Sequence, residues 1–263
     1  MSCTYRIILC LDGGPRSLET PVISLNYIRE KFNCLVGDRF SFEWVDLTVS
    51  YGESNILSLL LAKSPSSFHA NLIDLSDSFL TDQTLSIESV KSKFSEVTLR
   101  DLQKHVLLNY HDGKNGELNS ISTMSPYQEG KRLQDLYSQF IRPEKVDGNN
   151  RDSLEGYSFY VNPIQQAVNL AHCLYPEDSL VIISIGSKMK QLSSKITTEL
   201  EHLKIREQLR GDKKAHYFRL SPPYEPDQSF VENKVGIETF LDKELHSVDR
   251  LFRLMEIRAG RLL

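Results

Sequence analysis

The stretch that most constrains this chain is its opening. Tyr5-Arg6-Ile7-Ile8-Leu9-Cys10-Leu11 is a largely apolar run that breaks abruptly into Asp12-Gly13-Gly14-Pro15-Arg16. Residues 18–32 then carry apolar side chains at helical spacing, among them Val22, Ile23, Leu25, Tyr27 and Ile28. A strand that feeds a glycine turn and opens a helix presents backbone N–H groups at a helix N-terminus. That geometry suits an anion, whether a phosphate or the oxyanion of an acyl-transfer intermediate.

The same alternation continues along the chain. Residues 42–49 read as a second strand and 56–62 as an apolar helix, ended near Lys63-Ser64-Pro65. Residues 66–110 mix polar helical stretches with short apolar pieces, and 106–110 read as a strand. Residues 111–153 are polar and rich in Asn, Ser, Gly and Asp, so a long surface region is expected, with one short helix near 130–141. Residues 157–161 resume regular structure, followed by a helix over 163–174. Ser179–Ile185 is a continuous apolar strand, 192–207 an exposed helix and 216–220 a short strand closed by Pro222-Pro223. Strands apolar on both faces, separated by helices, imply an α/β fold: a three-layer α/β/α domain with a mostly parallel central sheet.

Composition narrows the function classes. The net charge of −4 over 263 residues offers no broad basic surface, and no nucleic-acid partner is expected. No apolar run approaches the roughly 18 residues of a membrane span. Residues 1–11 lack the pattern of a signal peptide. The expected location is cytoplasmic, or outside the cell by a route without a classical signal. Cys3, Cys10, Cys34 and Cys173 form no zinc spacing and read as reduced, mostly buried thiols. The seven histidines form no metal-ligand pair, so no metal and no cofactor is expected. Residues 235–255 are amphipathic, but mixed charge along them favours packing on the domain over a dedicated lipid-surface helix. Peripheral contact with a membrane stays open.

Several pieces, in order, resemble patatin-like phospholipases across roughly residues 5–220. Asp12-Gly13-Gly14-Pro15-Arg16 stands where that family has Asp-Gly-Gly-Gly-x-Arg-Gly, its oxyanion loop. Val45-Asp46-Leu47 resembles the segment leading to the nucleophile elbow, and Ile56 to Ala62 the helix after it. Thr98-Leu99-Arg100-Asp101-Leu102, Val161-Asn162-Pro163, the strand ending Ser184-Ile185-Gly186-Ser187, and His216 to Leu220 resemble later family pieces. The resemblance implies a patatin-like domain over residues 1–222, with 223–263 a C-terminal helical segment packed on it.

It also implies a Ser–Asp dyad, and here the chain departs. The family's Ser sits in Gly-x-Ser-x-Gly on a strained strand-to-helix turn. Ungapped alignment from Asp46 to Ala62 places Gly52 in the nucleophile slot, and glycine has no side chain to attack an ester. Ser54 and Ser50 are the displaced alternatives, each also readable as a hydroxyl capping the following helix. Spacing from Pro163 puts Glu155 in the aspartate slot, one methylene longer; Asp152 and Asp147 lie nearby. Pro15 has no N–H to donate where a glycine would, while those of Gly13 and Gly14 remain, and the shortened loop shifts Arg16.

Three altered catalytic elements on a retained scaffold suggest a pseudoenzyme of lipid metabolism. It would bind a lipid, an acyl chain or a protein partner through a remnant cleft. Two alternatives stand beside it. One is an active lipid acyl hydrolase using Ser54 or Ser50 with Glu155 or Asp152. The other is a nucleotide-binding Rossmann-like domain, although Gly-x-Gly-x-x-Gly is absent.

Overall fold

A computed structural model describes residues 5–12, 18–36, 40–81, 92–111, 117–140, 162–186, 192–225, 228–244, 250–251 and 253–254. Its centre is a six-stranded sheet of β1 (Tyr5–Leu11), β2 (Val45–Tyr51), β3 (His105–His111), β4 (Leu118–Ser122), β5 (Ser179–Ile185) and β6 (Ala215–Leu220), in the order β4-β3-β2-β1-β5-β6. All neighbours pair in parallel except β3 and β4. The helices are α1 (Glu19–Val36), α2 (Asn55–Lys63), α3 (Phe68–Leu80), α4 (Leu133–Phe140), α5 (Ile164–Leu174), α6 (Leu192–Leu209) and α7 (Phe230–Lys243).

The predicted three-layer α/β/α architecture is what the chain adopts, because β1 has two buried faces. Ile7, Leu9 and Leu11 pack under α1, α2, α3 and α7. Ile8 and Cys10 face the opposite way, toward Ile164, Ala167 and Val168 of α5 and Ile205 of α6. A strand covered on both sides is apolar where it is covered, and β1 is so from Ile7 to Leu11. On α7, Ile237 and Leu241 are fully buried, and Tyr27 of α1 donates to Asp242 at 2.6 Å. Among the described residues no helix is long and apolar enough to cross a membrane.

Three details differ from expectation. Residues 42–44 form a 3₁₀ turn instead of joining β2; Ser41 caps it by accepting from the Glu43 N–H at 3.1 Å. The polar stretch after residue 111 contains β4, whose side chains are mostly exposed apart from Ile121. Of the described cysteines only Cys10 is buried; Cys34 and Cys173 are exposed, because each lies on the outward side of its helix. The strand expected over 157–161 lies outside the described residues.

Position in the sheet matters for function. The chain runs from β1 outward to β2 on one side, and later returns to β5 on the other. The strand order therefore reverses between β1 and β5, and the crevice beyond their C-terminal ends is where open α/β sheets bind ligands.

Candidate functional site

Three chain segments meet at that crevice. β1 ends in Leu11 and Asp12, β2 in Tyr51 and Gly52, and β5 in Ile185 and Gly186. The Asp12 N–H donates to the Ile185 carbonyl at 2.9 Å, and the Gly186 N–H to the Leu220 carbonyl at 3.0 Å, so the ladder is closed up to the edge of the site.

At the end of β2 the chain turns sharply. Gly52 has φ of +59°, the left-handed region that side-chain-bearing residues avoid. One 3₁₀ turn, Gly52–Ser54, then passes into α2. This is a strand–turn–helix elbow with glycine at its corner. Among the described residues a Cβ built at Gly52 would meet nothing within 4 Å, so they leave the space in front of the corner open.

The two displaced serines are built into the framework. Ser54 is fully buried and donates to the Asp12 carbonyl at 2.7 Å, tying the elbow to the end of β1. It occupies the N-cap position of α2, yet its hydroxyl makes no cap bond, so the capping expected of it is not its role. Ser50 does not cap either. It donates to the Asn55 side-chain carbonyl at 2.7 Å and accepts from Ser58 at 2.8 Å. Asn55 donates to the Asn109 carbonyl at 2.9 Å, and the Asn109 side chain donates back to the Ser50 carbonyl at 3.2 Å. The network satisfies buried groups between α2, β2 and β3 and leaves Ser50 facing amides and hydroxyls, neither of which can take its proton as a base.

A charged pair closes the other side. Asp12 and Arg219 are almost wholly buried. The guanidinium grips the carboxylate with two parallel hydrogen bonds, Nη1 to Oδ1 at 2.8 Å and Nη2 to Oδ2. Nη1 also donates to Ser184 at 2.7 Å. Burial pushes the Asp12 carboxyl above its ordinary value, and Arg219 pulls it back. For Arg219 burial works against the charge, but Asp12 more than restores it. The pair lies directly over Gly186. A Cβ there would come within 2.0 Å of Asp12 Oδ2 and 2.6 Å of Arg219 Nη2, so only glycine fits.

Burial acts on neighbouring groups too. Burial pushes the Cys10 thiol well up, and the Asp12 charge adds to this. Burial likewise raises Tyr217, whose hydroxyl lies 3.0 Å from His202 Nδ1, and Glu201, which accepts from the Asn162 N–H. Among the described residues no group of three His, Cys, Asp or Glu side chains could hold a metal ion.

The elbow thus brings Gly52, Ser54 and Asp12 together. Gly13, Gly14, Pro15, Arg16, Asp147, Asp152 and Glu155 lie outside the described residues. Sequence reasoning passed over Arg219, Ser184 and Gly186 as parts of strands. A single arginine on the inward parity of a short apolar strand, and a glycine closing another, were the available signals.

No family model matches this chain, and no curated protein matches it by sequence. Among solved structures, the fold is similar to the heterodimeric ExoU–SpcU complex from the type III secretion system of Pseudomonas aeruginosa. The TM-score is 0.44 and the identity 12%, over 98% of this chain and 52% of that chain. The chain therefore spans about half the length of that neighbour.

Proposed function

We propose that this chain is a patatin-like pseudoenzyme that binds the acyl part of a lipid in the crevice between the ends of β1, β2 and β5. The observation that carries the reading is Gly52. The count from Asp46 to Ala62 assigns it the slot of the nucleophile, and it lies at the corner of a strand-to-helix turn with positive φ, where among the described residues nothing stands in the way of a side chain. The turn that strains a serine into position is present, and the attacking oxygen is not. The hydrogen bonds of Ser50 and Ser54 support the same reading, because both hydroxyls serve the framework.

The test has two arms. Fluorophosphonate labelling and p-nitrophenyl ester turnover should both be absent; losing a nucleophile costs on the order of 10⁶-fold. Gly52→Ser should restore little, because Pro15 removes a possible oxyanion donor, worth about 10²–10³-fold, and Glu155 sets a longer reach. Turnover abolished by Ser54→Ala would overturn the proposal in favour of a working hydrolase. In the second arm, a fluorescent fatty acid should bind the intact chain saturably. Gly52→Trp, which fills the open space, should weaken it. Absence of saturable binding would refute the ligand class.

A further inference from the structure

β6 is the last strand of the sheet among the described residues. Its pairing with β5 fixes which of its backbone groups are used. The Leu180 N–H donates to the Lys214 carbonyl, and the Gly186 N–H to the Leu220 carbonyl. In a parallel ladder alternate residues point to the same neighbour, so His216 and Phe218 also turn toward β5. Ala215, Tyr217 and Arg219 turn outward. The Ala215 N–H is taken by the Asp212 carbonyl at 3.3 Å. The outward N–H groups of Tyr217 and Arg219, and the carbonyls of Ala215 and Tyr217, have no hydrogen-bonding partner among the described residues.

An open groove of about 1050 Å³ runs along this edge. Five consecutive residues, Ala215 to Arg219, line it. Consecutive strand residues alternate faces, so a cavity that touches all five lies beside the strand, where the outward backbone groups point. α6 walls one side with Leu203 and Arg206; Arg250 stands on the other, 6.0 Å from the Phe218 ring centroid and 3.2 Å from His216 Nδ1.

The charges in the groove favour one kind of occupant. Glu207 is engaged by Arg210, and Asp212 accepts from the Lys214 N–H. Among the described residues Arg206, Lys213 and Arg250 have no carboxylate partner, and the three cations outnumber the two acids left facing them, Asp212 and Glu244. A second copy of the chain paired edge to edge would bring these cations together.

We propose that the open edge of β6 takes an extended, acidic segment of a partner protein by strand addition. Backbone hydrogen bonds to Tyr217 and Arg219 supply the register, and Arg206, Lys213 and Arg250 select for carboxylates.

The experiment uses the full chain and a fluorescein-labelled octapeptide of alternating valine and glutamate, read by anisotropy. Two further peptides are N-methylated, one at every valine and one at every glutamate. Only one edge of an added strand faces β6. One methylated peptide should therefore lose about tenfold or more in affinity, while the other binds like the parent. The triple variant Arg206→Glu, Lys213→Glu, Arg250→Glu should bind the parent peptide at least about tenfold more weakly with an unchanged thermal melt. Hydrogen exchange at Tyr217 and Arg219 should slow with peptide bound. No saturable binding up to about 1 mM overturns the proposal. So does equal binding of all three peptides, which would be charge attraction without strand pairing. Anionic vesicles captured without peptide binding, and released by the triple variant, would assign the groove to a membrane instead. A concentration-dependent dimer that the parent peptide does not compete with, in the absence of saturable peptide binding, would assign it to a second copy.

Discussion

Replacing Arg219 with methionine isolates the energetics of the buried pair. The substitution keeps an unbranched, flexible stem and removes the guanidinium with its charge. Three charge-assisted hydrogen bonds disappear, two to Asp12 and one to Ser184. The Asp12 carboxylate is left almost wholly buried without its partner. Removing one member of such a pair costs about 3–5 kcal/mol. Against a total stability of roughly 5–15 kcal/mol, that is a large share. At about 2–4 °C per kcal/mol for a chain of this size class, the melting temperature should fall by roughly 6–20 °C. Acidity supplies the sharper test. Burial raises the folded-state pKa of Asp12, and Arg219 is what restrains it. Without Arg219 that pKa rises further. A carboxyl raised in this way binds its proton more readily folded than unfolded, so stability is lost as pH climbs through the folded value. The gap between wild type and Arg219→Met should therefore be wider at pH 8 than at pH 5 in urea denaturation. Adding Asp12→Asn should recover most of the loss, because no bare charge then remains. A loss below about 1 kcal/mol, or an equal loss at both pH values with no recovery in the double variant, would refute the reasoning.

Three other substitutions probe the same framework. Gly186→Ala should destabilise by at least about 2 kcal/mol, since the new methyl meets a pair that has nowhere to retreat; the denaturation midpoint reports it. Gly52→Ala should cost about 1–2 kcal/mol of backbone strain with no clash, and a crystal structure of the variant should keep the turn. Asn55→Ala should cost about 1–3 kcal/mol by stranding the Ser50 hydroxyl and the Asn109 carbonyl, with the loss visible as faster amide exchange at the end of β2.

Much of the architecture was legible in the order of residues. Ile7 to Leu11 of β1 and Leu180 to Ile183 of β5 are apolar without interruption because both faces of each strand are covered. Counting from Asp46 to Ala62 assigns Gly52 to an elbow, and the chain does turn from strand to helix at that residue. β4 was missed because its one solidly buried side chain, Ile121, leaves no pattern to read; pairing with β3 holds it. The 3₁₀ turn at Phe42 was missed for a similar reason, since its aromatic residues pack against Phe40 and Phe68 and look like strand residues.

The alternation of apolar runs and helical spacing by itself determined that this chain forms a layered parallel sheet, because burial on two faces leaves its mark on every residue of a strand. It could not reveal that Asp12 and Arg219 share one buried site. They are 207 residues apart and meet only because β5 separates the strands that carry them. Nor could it reveal why residue 186 must be glycine, or that Ser54 spends its hydroxyl on the end of β1. Those facts depend on which strands lie side by side, and strand order is settled by packing across the whole sheet, not by any local stretch of sequence.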